Sequence, residues 1–449
     1  MSSHTASNHD RCPNILWIFG DQHRAQALGH AGDPNLRTPN IDRLAVEGVE
    51  LQGIAGFPLC CPYRGALLTS RYPHHSVPGH ERRLPEDMPT LAQPLREAGY
   101  HTMWLGKWHV DGFEESTGRA AFHTVPRHRR GGFDTWISYE NNNSQYDCHV
   151  HGHEGETEIA HQRLAGYETD ALTDMLIGQL RKRAMAPDTP FFCALSVQPP
   201  HGPYVAPEQW MGRHNPATIA LRPNVPPVPR LAERARRELA GYYAMIENLD
   251  WNLGRIRQAL ADLGLADRTH IIFFSDHGDL HGSHGQFAKT APWQEAIRVP
   301  MIIGGGRPFY GVGGGRHECL VNHVDLAPTT LGLCGIEPPS WMAGTDYSCY
   351  RLPDRPHPAE PDSAFLQVVE PTNHGNSVDR PWRGVLMRDG WKYICLEGQP
   401  WQLFNLNEDP YELANHAHNP RYHAERKRLQ DRLVQWISDT DDTFALPPL

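Results

Sequence analysis

Four short apolar runs, each ending in polar or charged side chains, constrain this chain more than any other feature. Residues 14–19 lead into Gly20-Asp21-Gln22, and residues 101–105 into Gly106-Lys107-Trp108-His109. Residues 191–197 lead into Gln198-Pro199-Pro200-His201, and residues 270–274 into Ser275-Asp276-His277-Gly278-Asp279. Such runs alternate with longer amphipathic stretches, the pattern of an α/β fold with a large, mainly parallel sheet flanked by helices. In an open parallel sheet the carboxyl ends of the strands share one edge, and ligands bind there. Four strands of one sheet therefore gather Asp21, Gln22, Lys107, His109, His201, Asp276 and His277 in one region. A chance scatter would put polar residues at both ends of the strands.

Helices are expected between these runs. Residues 38–48 carry Thr38 as N-cap, Pro39 at the first helical position and Gly48 at the end. Residues 90–99 stop at a glycine, with Pro94 interrupting the middle, and a longer periodic stretch runs from about Leu231 to Leu265. Residues 112–166 are polar, rich in His and Asn, and weakly periodic; they read as long loops over the strand-end edge. The proline-rich stretch 353–361 cannot continue a helix or a central strand, which sets a boundary near 338–362. Beyond it, strand-like segments 364–369, 382–387 and 391–396 precede an amphipathic helix from about 421 to 438. That spacing predicts a small antiparallel sheet with a helix packed on it, and divides the chain into an α/β domain at 1–350 and an α+β subdomain at 362–449.

The 449 residues are 39% hydrophobic and 21% charged, an ordinary globular balance with a large core. No run reaches the roughly 18 consecutive apolar residues of a membrane span. The opening MSSHTASNHDRCPN lacks the basic-then-apolar pattern of an export signal, so a cytoplasmic location is expected. A net charge of −10 argues against a general nucleic-acid binder. The nine cysteines (Cys12, Cys60, Cys61, Cys148, Cys193, Cys319, Cys334, Cys349 and Cys395) are odd in number and mostly scattered. They fit neither a disulfide framework nor paired zinc ligands, and buried reduced thiols are expected. Cys60-Cys61 stands apart because Pro62 and Arg64 come directly after it.

Asp21-Gln22 and Asp276-His277, at the ends of two such strands, offer two carboxylates, an amide oxygen and an imidazole. This set suits one hard divalent cation, calcium first, with manganese or magnesium as alternatives. Cys60-Cys61-Pro62-Tyr63-Arg64 reads as a helix start, with Pro62 in the first turn and Leu67 and Leu68 on one side. Cys60 then sits at a helix N-terminus, where the dipole and unpaired N–H groups stabilise an anion. Arg64, one turn on, can aim its guanidinium at the same spot. Histidines near these motifs (His74, His75, His80, His281 and His284) are expected to be mostly structural or surface groups, and the basic run 127–130 a solvated loop.

Cys60-x-Pro62-x-Arg64 followed by Gly-Ala-Leu-Leu-Thr resembles the signature of the type I sulfatases, in the alkaline-phosphatase superfamily. The spacing selects Cys60, because reading from Cys61 gives Cys-Pro-Tyr-Arg-Gly. Residues 38–48, 106–109, 200–204, 275–278, Lys289 with 295–300, 391–394 and 403–410 are similar to family blocks in the same order, so the resemblance covers almost the whole chain. It implies that Cys60 is oxidised to Cα-formylglycine, whose hydrate is the nucleophile, by a formylglycine-generating or equivalent maturation enzyme. It also implies a metal held by Asp21, Gln22, Asp276 and His277 that binds the hydrate at position 60, with Arg64, Lys107 and Lys289 around the sulfate. His201, helped by Lys289, would protonate the leaving alcohol, and His109 would take the proton from the second hydroxyl of the hydrate. The implied reaction splits a small sulfated substrate into inorganic sulfate and an alcohol. Two residues depart from family habit: Cys61 stands where Ser, Thr or Ala is usual, and Tyr63 where a small residue is usual.

A phosphonate monoester or phosphodiester hydrolase of the same superfamily is the close rival. Its members often carry Asp-Gln plus Asp-His, whereas many sulfatases carry Asp-Asp plus Asp-Asn. Lys107 and His109 weigh for the sulfatase. In a different class, a chain whose Cys60 stays a thiol would be a non-catalytic, metal-containing binder of anions. The polar segment 139–145 and several loop tryptophans could hold a sugar, so a carbohydrate sulfate is preferred to an aryl sulfate. Neither a nucleic acid nor a membrane is expected as partner.

Overall fold

A computed structural model describes residues 12–306, 315–374 and 378–448; the opening segment 1–11, where an export signal was sought, lies outside the described residues. The strands of the larger sheet are β1 (Asn14–Asp21), β2 (Val49–Ile54), β3 (His101–Lys107), β4 (Thr135–Tyr139), β5 (His149–Glu154), β6 (Thr157–Arg163), β7 (Phe191–Pro200), β8 (Thr269–Ser275), β9 (Arg298–Val299), β10 (Met301–Gly305) and β11 (Gly315–Asn322). They run in the order β11-β2-β10-β8-β1-β7-β3-β4-β5-β6, with β9 paired to β2. The helices are α1 (Pro39–Glu47), α2 (Cys60–Thr69), α3 (Ala92–Glu97), α4 (Glu168–Ala184), α5 (Glu208–Met211), α6 (Pro229–Asp262), α7 (Gln294–Ile297), α8 (Leu326–Leu333) and α9 (His423–Asp439).

The central block β8-β1-β7-β3-β4 is parallel throughout. Its register sets Gly20 beside Ser275 and Gly106 beside Ser196, so the four apolar runs all end at one edge. Strand alternation explains why helices cover both faces. Ile15, Trp17 and Phe19 of β1 point to one core with Leu67, Leu68, Leu95 and Leu331. Leu16 and Ile18 point to the other core with Ile41, Leu44, Leu172, Leu176, Leu249 and Leu253. Trp17 meets Phe192 and Phe274 edge-on at 5.0 and 5.5 Å between ring centroids, a geometry that contributes about 0.5–1.5 kcal/mol per pair beyond burial.

The second sheet, β12 (Ser363–Val368), β13 (Trp382–Met387), β14 (Trp391–Leu396) and β15 (Gln399–Asn405), is antiparallel in that order. Its outer face carries Phe365, Val385, Tyr393 and Leu403 against Leu429 and Leu433 of α9. On its inner face, Leu366, Val368 and Trp382 pack against Ile54, Phe57, Leu59 and Ile297. Trp382 donates from Nε1 to the Thr290 carbonyl at 3.2 Å, and Lys392 bonds the Pro292 carbonyl and Glu412. The small sheet thus braces the loop that carries Lys289.

Two expectations need correction. Residues 112–166 are not only loops: β4, β5 and β6 extend the sheet there, with three short 3₁₀ turns between β3 and β4. Thr38 precedes α1 without capping it; its hydroxyl donates to Asp42 at 2.7 Å and accepts from Gly29 N–H at 2.8 Å. All nine cysteines are free, and eight are buried. Among the described residues no helix is long and apolar enough to cross a membrane.

Candidate active site

The site grows out of the strand ends. After Asp21 the chain turns sharply, with Gln22 at φ 74°, and Gln22 N–H donates to Asp276 Oδ1 at 3.0 Å. Asp276 Oδ1 also accepts from His277 N–H at 2.9 Å, and Ser275 Oγ donates to the Gly20 carbonyl at 2.8 Å. These bonds stitch the ends of β1 and β8 together and hold both carboxylates still.

Cys60 opens α2 against this edge. Its Sγ lies 3.2 Å from Lys289 Nζ, 3.2 Å from His277 Nε2 and 3.5 Å from Asp21 Oδ1. One turn on, Arg64 uses both terminal nitrogens: one donates to the Lys107 carbonyl at 3.0 Å and to Ser196 Oγ at 2.7 Å. The other donates to Asp276 Oδ2 at 3.1 Å and approaches Asp21 Oδ2 at 3.6 Å. Lys107 Nζ pairs with Asp21 Oδ2 at 2.6 Å, and Lys289 Nζ donates to Gln22 Oε1 at 3.0 Å. Three fixed cations therefore face two carboxylates in a buried cluster, an excess of positive charge suited to an anionic ligand.

The fields follow from that geometry. Burial opposes the charge on Asp21, but Lys107, His201, Lys289 and His277 outweigh it and hold the carboxyl well below its usual range. Burial and Asp21 push the Cys60 thiol up, yet Lys289, Lys107 and His277 pull harder, and the net shift is downward. Lys289 is raised: burial opposes its charge, and Cys60, Asp21 and Asp276 favour it. His109 is lowered far below the usual histidine value by burial, then by Lys107, His80 and Arg64. Desolvation and Lys289 also lower His201, whose Nδ1 lies 2.8 Å from the Gly202 carbonyl.

The donor set fits a divalent cation. Ligand atoms of Asp21, Cys60, Asp276 and His277 all lie within 4.8 Å of one another. His277 Nδ1 sits 3.0 Å from the Gly278 carbonyl, which assigns the N–H to that nitrogen and turns the Nε2 lone pair toward Asp21 Oδ1. Although burial disfavours charge on His277, Asp276 and Cys60 raise its affinity for a proton, a field that attracts a cation. Gln22 is oriented by Asp279, whose Oδ2 accepts from the Gln22 amide and, at 2.6 Å, from Tyr204.

The predicted residues Asp21, Gln22, Cys60, Arg64, Lys107, Asp276, His277 and Lys289 thus form one contact network, with His109 and His201 close enough to feel its charges. Ser196, Tyr204 and Asp279 were not singled out, because their roles depend on partners more than 50 residues away in sequence. His80 also faces the site, its ring 6.1 Å from that of His109. Most of the remaining expectations of structural roles hold: His74 and His75 each lie 2.8 Å from the Thr440 carbonyl, and His284 stacks on Trp293. The basic run 127–130 is not the solvated loop expected: Arg130 is buried and pairs with Glu158, as Arg127 does, and Arg129 pairs with the buried Asp111. Gln145 of the polar segment 139–145 reaches the site by donating to the His201 carbonyl at 2.9 Å.

Gly106, just before Lys107, has φ +92°, and a Cβ there would overlap the Ser196 carbonyl oxygen. Gly106→Ala is expected to cost about 2 kcal/mol or more in urea unfolding and to lower turnover by displacing Lys107 and Ser196 together. Unchanged stability would contradict the close approach of β3 and β7.

A sheet edge that sets cations around paired carboxylates and a helix N-terminus defines a site for a tetrahedral oxyanion ester. The sulfatase family profile matches residues 13–336, and a profile described as N-sulphoglucosamine sulphohydrolase, C-terminal, matches residues 282–439. An ulvan-active sulfatase of Formosa agariphila is 32% identical over 440 residues, covering 96% of this chain and 82% of the relative. A Bacteroides fragilis structure assigned to the sulfatases superposes with TM-score 0.86 at 24% identity, covering 99% of this chain and 98% of that one. The phosphonate monoester hydrolase of Agrobacterium radiobacter shares the fold with TM-score 0.77 at 21% identity, covering 95% and 96%. The chain belongs to the sulfatase family of the alkaline-phosphatase superfamily. It is a sulfuric-ester hydrolase.

Proposed function

We propose that this enzyme hydrolyses a carbohydrate sulfate ester, with Cys60 converted to Cα-formylglycine by a maturation enzyme and one divalent cation, calcium first, held by Asp21, Gln22, the modified residue 60, Asp276 and His277. The placement of Cys60 carries the reading: it begins a helix, and its Sγ lies 3.2 Å from both Lys289 Nζ and His277 Nε2. When present, the hydrated aldehyde supplies the nucleophilic hydroxyl and the cation acidifies it and offsets charge at sulfur. Arg64, Lys107 and Lys289 then hold the sulfate oxygens. His201 donates a proton from Nε2 to the leaving alcohol once an anionic substrate has raised its basicity, and the charged Lys289 assists. His109 accepts a proton at a ring nitrogen; among the described residues neither ring nitrogen has a hydrogen-bond partner.

Sugar substrates are supported by the name of the profile matching residues 282–439 and by the amide-rich segment 141–145 beside His201. A phosphonate or phosphodiester preference is the second reading, favoured by the Asp-Gln plus Asp-His donor set, while Lys107 and His109 favour sulfate. Rates on sulfated sugars, an aryl sulfate and an aryl phosphonate, measured on one preparation of known residue-60 mass, decide between them. A strong phosphonate preference would overturn the sulfate reading.

The base assignment has a pH signature. His109 must be neutral to accept a proton, and its pKa is depressed, so activity is lost only as pH falls through that depressed value. The acid limb of kcat/KM is expected below about pH 6.5, the ordinary histidine value, and His109→Gln should abolish the limb along with most turnover. A limb centred at or above the ordinary value would remove His109 from the role.

A further inference from the structure

Beside the reaction centre lies a second cluster, of which the proposed steps use only His109. Cys61, 1% exposed, has its Sγ 3.9 Å from Nδ1 of His80. A ring nitrogen of His109 completes a trio of donor atoms that all lie within 4.8 Å of one another. His109 is 3% exposed, and among the described residues neither of its ring nitrogens is hydrogen-bonded. His80 Nε2 lies 3.6 Å from Glu81 Oε1, and the His80 side chain is 27% exposed, which opens the cluster to solvent.

One sulfur and two imidazole nitrogens form a soft-to-borderline donor set, unlike the oxygen-rich set at Asp21 and Asp276. Tetrahedral zinc, with Zn–S near ~2.3 Å and Zn–N near ~2.0 Å, needs its donors about 3.3–3.6 Å apart. The present separations close to that range with side-chain adjustments of a few tenths of an ångström to about 1 Å. A carboxylate behind the outward nitrogen, as Glu81 stands behind His80, is the usual support of a metal-binding imidazole. Lys107 and Lys289 nearby oppose a second cation; a Cys61 thiolate and Glu81 offset them.

We propose that Cys61, His80 and His109 form a second metal site, selective for thiophilic divalent ions such as Zn²⁺ or Co²⁺, whose occupation inhibits hydrolysis. On binding, the Cys61 S–H proton passes to solvent as the metal–sulfur bond forms, each imidazole gives one nitrogen lone pair, and water takes the fourth position. No electron is transferred. A His109 nitrogen held by the metal cannot accept a proton; this inhibitory part rests on the reading of His109 as base, whereas the binding part does not.

Cobalt titration of full-length protein, with calcium in excess, tests the site through the near-ultraviolet sulfur-to-cobalt band. Cys60→Ala removes the sulfur of the first cluster and should keep the band; adding Cys61→Ser should abolish it. A band missing from Cys60→Ala, or surviving in the double variant, overturns the site. In parallel, the Zn²⁺ inhibition constant of formylglycine-bearing enzyme should rise by about tenfold or more in Cys61→Ser, with rates normalised to residue-60 conversion. Equal inhibition of the two enzymes, or a band without inhibition, overturns the inhibitory role and with it the base assignment of His109, while leaving the chemistry at Cys60 standing.

Discussion

Cys60→Ala is expected to lower sulfate-ester hydrolysis by a factor of about 10⁴ or more, the scale of losing a nucleophile, while the protein remains folded. The two effects separate because the side chain is small. Cys60 is 2% exposed, and its truncation deletes one sulfur from a cluster otherwise held by Arg64, Lys107 and the two carboxylates. The stability change should stay within about 1–2 kcal/mol, the range of a modest buried truncation. Peptide mass gives the companion measurement: the wild-type peptide should be lighter than the unmodified thiol by the exchange of sulfur for oxygen and the loss of two hydrogens. Turnover of the variant within tenfold of wild type would eliminate residue 60 as nucleophile. A fully active wild-type enzyme carrying an intact Cys60 thiol would eliminate the aldehyde.

Much of this site was legible because its chemistry sits where the apolar pattern stops. Asp21 and Asp276 follow uninterrupted buried strands, and the parallel register that pairs Gly20 with Ser275 brings them to one edge, as strand polarity alone demands. Strands β5 and β6 were not legible for the opposite reason. His149–Glu154 alternates histidine with Val and Gly, and Thr157–Arg163 lies at the sheet's edge and is largely exposed, so neither carries an apolar signal. The partners of Arg64 were hidden too. Its place one turn after Cys60 follows from helical spacing, but Ser196 and the Lys107 carbonyl meet it only through strand order. Likewise, nothing local announces that Asp279 fixes the amide of Gln22, 257 residues away. Cys61 and Tyr63, the two departures from family habit, fill different surroundings: Tyr63 packs near the His323 ring, at 5.3 Å between centroids, whereas Cys61 meets His80.

Arg64→Met should be the most damaging substitution for stability in the site, costing about 3–5 kcal/mol in denaturant unfolding, because it breaks a buried ion pair without replacing its charge. The guanidinium is fully buried, bonds Asp276, Ser196 and the Lys107 carbonyl, and lies 5.2 Å from the centre of the Phe19 ring. Methionine fills similar space but takes from Asp276 its ion pair with Arg64, while Lys107 pairs with Asp21 and Lys289 bonds Gln22. Turnover should also fall by about 10²–10³-fold or more, the scale of losing one preorganised charge donor. Arg64→Lys keeps the charge but cannot serve three acceptors from a planar fork, so it should recover part of the stability and little of the activity. Calcium sharpens the test. A cation held by Asp21 and Asp276 would neutralise the carboxylates that Arg64 otherwise compensates, and would stabilise the native state in proportion to its binding. The Arg64→Met loss should therefore be larger in chelator than in saturating calcium. Equal losses under both conditions would mean that these carboxylates hold no cation, and a loss below about 1 kcal/mol, the scale of an exposed pair, would mean that Arg64 is not the clasp joining α2 to the strand ends.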